Sequence, residues 1–241
     1  MKKFYPIIVL LFSLVTHTVS VQAQTLLHYW NFNSSSSASA LLTPTSSVVG
    51  SPSLTHITGG ISSVQFTGNT GQGFDVTNPN SRNSDAALTH LRFNDPIGGG
   101  LLFSLPTTGF KDVIFKYAAR RSGSGAGTQR IDYSIDGTNF ISFGTISPVD
   151  GDPTLATMDF SAIPEVDNNA NFKVKITFEQ GSGGAVGNSR FDNVTLEGIA
   201  VPSLALMHYW NFNTSTDEST LLTASSTIGG AALTKINGAS S

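Results

Sequence analysis

Six ionisable residues alternate with apolar neighbours in three stretches of this chain: Lys116 and Arg120 within Lys111 to Arg121, Arg130 and Asp132 around Ile131 to Ile135, and Lys173 and Lys175 within Phe172 to Glu179. On an extended strand, side chains two positions apart share a face, so each stretch puts its charges on one side and its apolar residues on the other. Guanidinium, ammonium and carboxylate groups gathered on a sheet face can hold the hydroxyls or carboxylates of a polar ligand. The same pattern also suits a sheet face that simply meets water. These six residues are the candidate ligand-binding set.

Catalytic chemistry has weaker support. A glycosidase needs two carboxyl groups flanking a sugar at set separations, and between residues 24 and 198 the glutamates are Glu165, Glu179 and Glu197. Glu179 falls on the exposed side of its stretch, and Glu165 follows Pro164. There is no nucleophile elbow of the G-x-S-x-G type and no phosphate-binding loop with its lysine. Cysteine is absent, which removes thiol nucleophiles, thiolate metal sites and disulfides together. The histidines His28, His56, His90 and His208 lack metal-ligand spacing. His28 alternates with Trp30 and Phe32 and reads as a core histidine, whereas His90, beside Arg92 and Asp95, reads as a solvated loop or the edge of a binding site. The chain is therefore read as not an enzyme.

Oxygen ligands for a structural calcium ion occur at Asp150 and Asp152 in one loop and at Asp167 in another. Neither loop has a full EF-hand ladder, and solvated turns explain both as well. No other cofactor is implied. Arg190 and Asp192 lie two apart on a strand and are placed with Val194 and Leu196, as a half-buried pair locking the last strand. The net charge is −3, with charged residues only 12% of the chain. That balance excludes nucleic acid as a partner, because backbone binding needs clustered lysine and arginine.

The elements that must position these residues are short strands. Val113, Phe115, Tyr117 and Ala119 alternate with Ile114, Lys116, Ala118 and Arg120, and Phe172, Val174, Ile176 and Phe178 with Lys173, Lys175, Thr177 and Glu179, each at the period of a half-buried strand. Between them Ile131 to Ile135 turns through Asp136-Gly137 into Phe140 to Phe143, and Asp-Gly supplies the positive φ values of a tight hairpin. No window carries a helical apolar stripe; at most a single turn is expected around Asp159 to Ile163. The glycine-rich stretches at 98–100, 122–127 and 181–187 read as loops. The pattern predicts an all-β antiparallel jelly-roll β-sandwich.

Two further features place this sandwich in context. Lys2 and Lys3, the apolar run Pro6 to Val15 and Val21-Gln22-Ala23 read as a signal peptide over 1–23, with no transmembrane segment after it, so the mature chain is expected to be secreted or at the cell surface. His28-Tyr29-Trp30-Asn31-Phe32-Asn33 then returns unchanged as His208-Tyr209-Trp210-Asn211-Phe212-Asn213, and Leu41-Leu42-Thr43 returns as Leu221-Leu222-Thr223 at the same offset. Repetition over so long an interval describes an array of domains and not a solenoid. The reading is one module at 24–198, a linker at 199–205 and the truncated start of a second copy at 206–241.

The opening Leu27 to Asn33 resembles the first strand of concanavalin-like and laminin-G-like jelly rolls. Gly187 to Gly198, with Arg190-Phe191-Asp192-Asn193-Val194, resembles the last strand of sandwich modules in large secreted bacterial surface proteins. The hairpin Tyr133 to Phe140 is similar to one in galactose-binding-like sandwiches. The resemblance implies a jelly-roll module for adhesion or carbohydrate binding, with a glycan or a surface protein as partner. Its alternative is an accessory domain of a secreted hydrolase, a nuclease or glycosidase, whose catalytic domain lies outside the chain.

Overall fold

A computed structural model describes residues 23–33, 42–58, 67–69, 73–86, 89–202, 208–209 and 226–227. The leader, most of the expected second copy and part of the linker lie outside them. The chain divides into two units, 1–199 and 200–241.

The first unit is a jelly-roll sandwich of two antiparallel sheets. Sheet A has β10 (Thr154–Asp159), β7 (Phe110–Arg121), β12 (Asn188–Ala200), β1 (Thr25–Trp30) and β2 (Ser46–Ser47) side by side, with β5 (His90–Asn94) also on β12 and β4 (Thr67–Asn69) on β5. Sheet B runs β3 (Ser53–Ile57), β6 (Gly100–Ser104), β11 (Lys173–Glu179), β8 (Thr128–Ser134) and β9 (Ile141–Ile146). A helical turn α1 (Phe74–Thr77) and a 3-10 turn at Pro164–Val166 complete it. The period-2 patterns predict β7 and β11 to within one residue at their starts.

One local expectation is met and two are corrected. The single turn expected at Asp159 to Ile163 does form, closed by Ile163 N donating to the Phe160 carbonyl oxygen at 2.8 Å, and a 3-10 turn at Pro164–Val166 follows it, where proline's fixed φ favours the first helical position. Gly100 opens β6 and does not belong to a loop; a Cβ there would lie 2.1 Å from the Ile176 carbonyl oxygen, so only glycine admits that approach. The last strand runs to Ala200, two residues into the stretch read as linker.

With no disulfide, the sheets are held by an aromatic interior. Phe93 lies 5.3 Å from Phe178, Phe178 5.6 Å from Phe191, Phe191 5.4 Å from Tyr117, Phe115 5.2 Å from Phe103 and Phe103 5.5 Å from Trp30. These separations fall in the range of favourable edge and offset packing, and all but the Phe191–Tyr117 contact, which stays within sheet A, cross from one sheet to the other. His28 is buried as the alternation predicts. Its ring nitrogens lie 2.8 Å from the Pro106 carbonyl oxygen and 3.0 Å from Ser47 Oγ, and burial lowers its pKa.

The edge of β12 is shared by two neighbours, and its sequence explains the handover. Asn188–Phe191 pair with Asn94–Leu91 of β5, while Val194–Leu196 pair with Trp30–His28 of β1. Between them Asn193 takes φ 47°, a left-handed conformation that asparagine tolerates. The resulting change of phase puts Phe191 in the core with Val194 and Leu196. Arg190 and Asp192 consequently do not share the face of Val194 and Leu196, as simple alternation would have it.

In the second unit β13 (His208–Tyr209) pairs with β14 (Ser226–Thr227). His208 faces Thr227 and Tyr209 faces Ser226, the same register in which His28 faces Ser47 and Tyr29 faces Ser46. The repeat is thus one of strand pairing as well as of sequence.

Candidate functional site

The six sequence candidates do not form one surface. Lys116 and Arg120 belong to β7 of sheet A, while Arg130, Asp132, Lys173 and Lys175 belong to β8 and β11 of sheet B.

On sheet A, Lys116 is a structural clamp. Its ammonium donates to Glu197 Oε2 at 2.6 Å, and the Arg82 guanidinium binds Oε1 of the same carboxylate. These two cations, through hydrogen bonds and charge, oppose burial and hold the Glu197 carboxyl below its usual range. Glu197→Gln keeps the shape and loses the charge-assisted part of both contacts. We expect a loss of about 1.5–2 kcal/mol of unfolding free energy, read as a lower urea midpoint with unchanged slope.

Arg120 donates through Nη2 to the Asp150 carbonyl oxygen at 3.1 Å. Ser122 N donates to Asn188 O at 2.9 Å, which sets Arg120 across from Arg190, and Arg190 pairs in register with Arg92. Three guanidinium groups therefore cross adjacent strands. Burial and then the charges of Arg120 and Arg92 push Arg190 down to about 10. His90, expected in a loop or at a binding edge, is a buried strand residue stacked on Phe74 at 4.6 Å. Burial first, then Arg190, Arg92 and Arg120, push it down to about 3.

The remaining four candidates meet on the outer face of sheet B. Register places Thr55, Leu102, Lys175, Asp132 and Ser142 in one row across all five strands. Asp132 sits beside Lys175, the middle member. Its Oδ2 accepts from Arg130 Nε at 3.2 Å and lies 3.3 Å from Lys175 Nζ, while Arg130 Nη1 donates to Glu179 Oε1 at 2.8 Å. Lys173 Nζ donates to the Gly137 carbonyl oxygen at 2.8 Å. Lys175 Nζ also stands 4.2 Å from the centroid of the Phe140 ring, within cation–π range.

Phe140 was not singled out by sequence reasoning, because it follows the turn and lies outside any alternating run. The loop at 135–140 is wider than the tight hairpin that Asp136-Gly137 suggested. Asp136 organises it by accepting from Asn139 Nδ2 at 2.6 Å and Asn139 N at 2.7 Å, and also from Thr138 N at 2.8 Å and Ser134 Oγ at 3.0 Å, bonds that hold its carboxyl well below the usual range. Gly137 takes φ 81° within it. This local fixing sets Phe140 beside Lys175.

The aspartates offered for calcium fall at two separate places. Arg120, next to Asp150, and Asp112, next to Asp167, lie near opposite ends of β7, some eight residues or about 26 Å apart along the strand, so the three aspartates cannot share one ion. Asp167 Oδ1 accepts from Asp112 N at 2.9 Å, and Asn168 Oδ1 from Gly109 N at 2.8 Å, the work of turn residues. Among the described residues no three histidine, cysteine or acidic side chains gather as a metal site. No helix among them is long and apolar enough to cross a membrane.

No family model and no curated protein matches the chain. Solved structures are similar to it. One is the N-terminal endo-1,4-β-D-xylanase 10B of Clostridium thermocellum, its CBM22-1 and GH10 modules complexed with xylohexaose, at 14% identity and TM-score 0.44, covering 79% of this chain and 31% of that one. Another is the K1 cleaved adhesin domain of Lys-gingipain from Porphyromonas gingivalis, at 12% identity and TM-score 0.44, covering 72% and 98%. A third is the xylan-binding module CBM15, at 14% identity and TM-score 0.37, covering 51% and 90%. This chain spans about a third of the xylanase structure's length. Likeness at this level concerns chain path and says nothing of ligand.

Proposed function

We propose that the first unit is a non-catalytic glycan-binding module of a secreted or cell-surface protein, with its ligand on the outer face of sheet B. The observation that carries this reading is the Arg130, Asp132 and Lys175 network beside the Phe140 ring. It combines directional donors and acceptors for hydroxyl groups with an apolar ring against which a sugar's C–H face packs, the mixture that small-ligand sites use for orientation and affinity.

A glycan array followed by titration of the best binder tests the proposal. Arg130→Ala and Phe140→Ala should each weaken binding about tenfold, equivalent to about 1.4 kcal/mol, while Thr157→Ala on β10 of the other sheet should leave it unchanged. A blank array, or a bound glycan whose affinity neither variant alters, would refute it.

A further inference from the structure

Resting on the proposed glycan-binding role of this face, we infer that its ligand is an acidic glycan bearing uronate carboxylates, and that Lys175 acts as a charge-operated cover over Phe140. The first argument is the hydrogen-bonding capacity around the ring. Lysine has three N–H donors and arginine five, with no acceptor on either. Lys173 places one donor on Gly137 O, Lys175 has Asp132 as its ion-pair partner, and Arg130 donates through Nε and Nη1. The carboxylates of this face are already engaged: Asp132 bridges two cations, Glu179 accepts from Arg130, and Asp136 is bound up in its own turn. The capacity left on this part of the face is therefore mainly that of donors carrying positive charge. A ligand rich in acceptors and negatively charged complements it.

The second argument is where Lys175 stands. Its ammonium lies over the Phe140 ring at 4.2 Å, the position a sugar ring would need for stacking. A neutral sugar must displace that ammonium with no compensating charge. A uronate carboxylate instead takes the ammonium as its ion-pair partner and draws it aside, so the charge contact and the uncovering of the ring occur together. Asp132 keeps Lys175 close throughout, since the side chain pivots about that carboxylate. Selection for acidic sugars thus follows from the cation–π contact itself.

The test compares polygalacturonate with the same polymer fully methyl-esterified, using the full secreted chain at low and high salt, with dextran sulfate as a further arm. Polygalacturonate should bind at least about tenfold more tightly than the ester, and its binding should weaken as salt rises. In Lys175→Met the preference should collapse, acid binding falling to about the level of the ester. Phe140→Ala should weaken both polymers, and melting temperatures should confirm that each variant is folded. Equal affinity for acid and ester, or a preference that survives Lys175→Met, overturns the inference; if Phe140→Ala and Arg130→Ala still weaken binding in that case, the glycan-binding face itself stands. Tighter binding to dextran sulfate than to polygalacturonate overturns it as well, by showing simple charge attraction. If neither polymer responds to Arg130→Ala or Phe140→Ala, the face reading falls along with the inference.

Discussion

Trp30→Ala should destabilise the first unit by about 3–5 kcal/mol, the range for removing a fully buried large aromatic. Trp30 is 0% exposed, packs edge-on against Phe103 at 5.5 Å and donates through Nε1 to the Leu42 carbonyl oxygen at 3.0 Å. Alanine therefore leaves both a cavity between the sheets and an acceptor without its donor. For a unit of this size each kcal/mol corresponds to about 2–4 °C, so the melting temperature should fall by about 6–20 °C. Placing the substitution in the full chain and reading the unfolding transition by far-ultraviolet circular dichroism avoids any dependence on the second tryptophan. A drop of less than about 1 kcal/mol would mean that the indole is not an anchor of the sandwich. Glycan binding measured below the transition should be retained, because Trp30 lies inside the sheets and Phe140 outside them.

That contrast also shows what the sequence made legible. The core faces of β7 and β11 could be read directly, because each runs through several uninterrupted alternations and one face of each is buried. Trp30 and His28 were readable from a shorter alternation, although β1 is buried on both faces from Leu27 to Trp30. β5 and β6 could not: they are five residues each, with Gly98 and Gly99 between them and a third glycine opening β6, so their apolar residues never extend far enough to declare a period. The final strand misled alternation at a single residue. Asn193 turns left-handed and reverses the phase, so Arg190 and Asp192 point away from Val194 and Leu196 even though the spacing is even. Four of the six candidates followed from alternation too. Arg130, Asp132, Lys173 and Lys175 share a face because β8 and β11 are neighbours in register, a fact of pairing that no single strand reveals. Lys116 and Arg120 carry the same local pattern and end on the other sheet. Phe140 is placed by the hydrogen bonds of Asp136, which act through the folded loop and leave no periodic mark.

Stability should reach its maximum near pH 6.5 and fall on both sides. Burial, against a weaker opposing bond from Asn193 N, raises Asp192 from 3.8 to about 8. Between those values the folded chain holds a proton that the unfolded chain has released, so folding stability declines as pH rises through this window. Burial has the opposite consequence for the histidines. His90 is lowered from 6.5 to about 3, and His28 and His56 are lowered in the same direction, so below pH 6.5 the unfolded chain takes up protons that the folded chain refuses. Three histidines outweigh one aspartate there, and stability rises with pH up to about 6.5. Above that point only the Asp192 slope remains among these groups. Asp192→Asn should remove it: the variant's stability relative to the parent should grow by about 1.4 kcal/mol per pH unit, or about 4 kcal/mol between pH 5 and 8. Urea midpoints across pH 4 to 9 for the two proteins provide the measurement. If the parent's stability stays level or climbs from pH 6.5 to 8, or if the asparagine variant follows the parent's slope, Asp192 is not held protonated in the fold and the carboxylate must have found a cationic partner there.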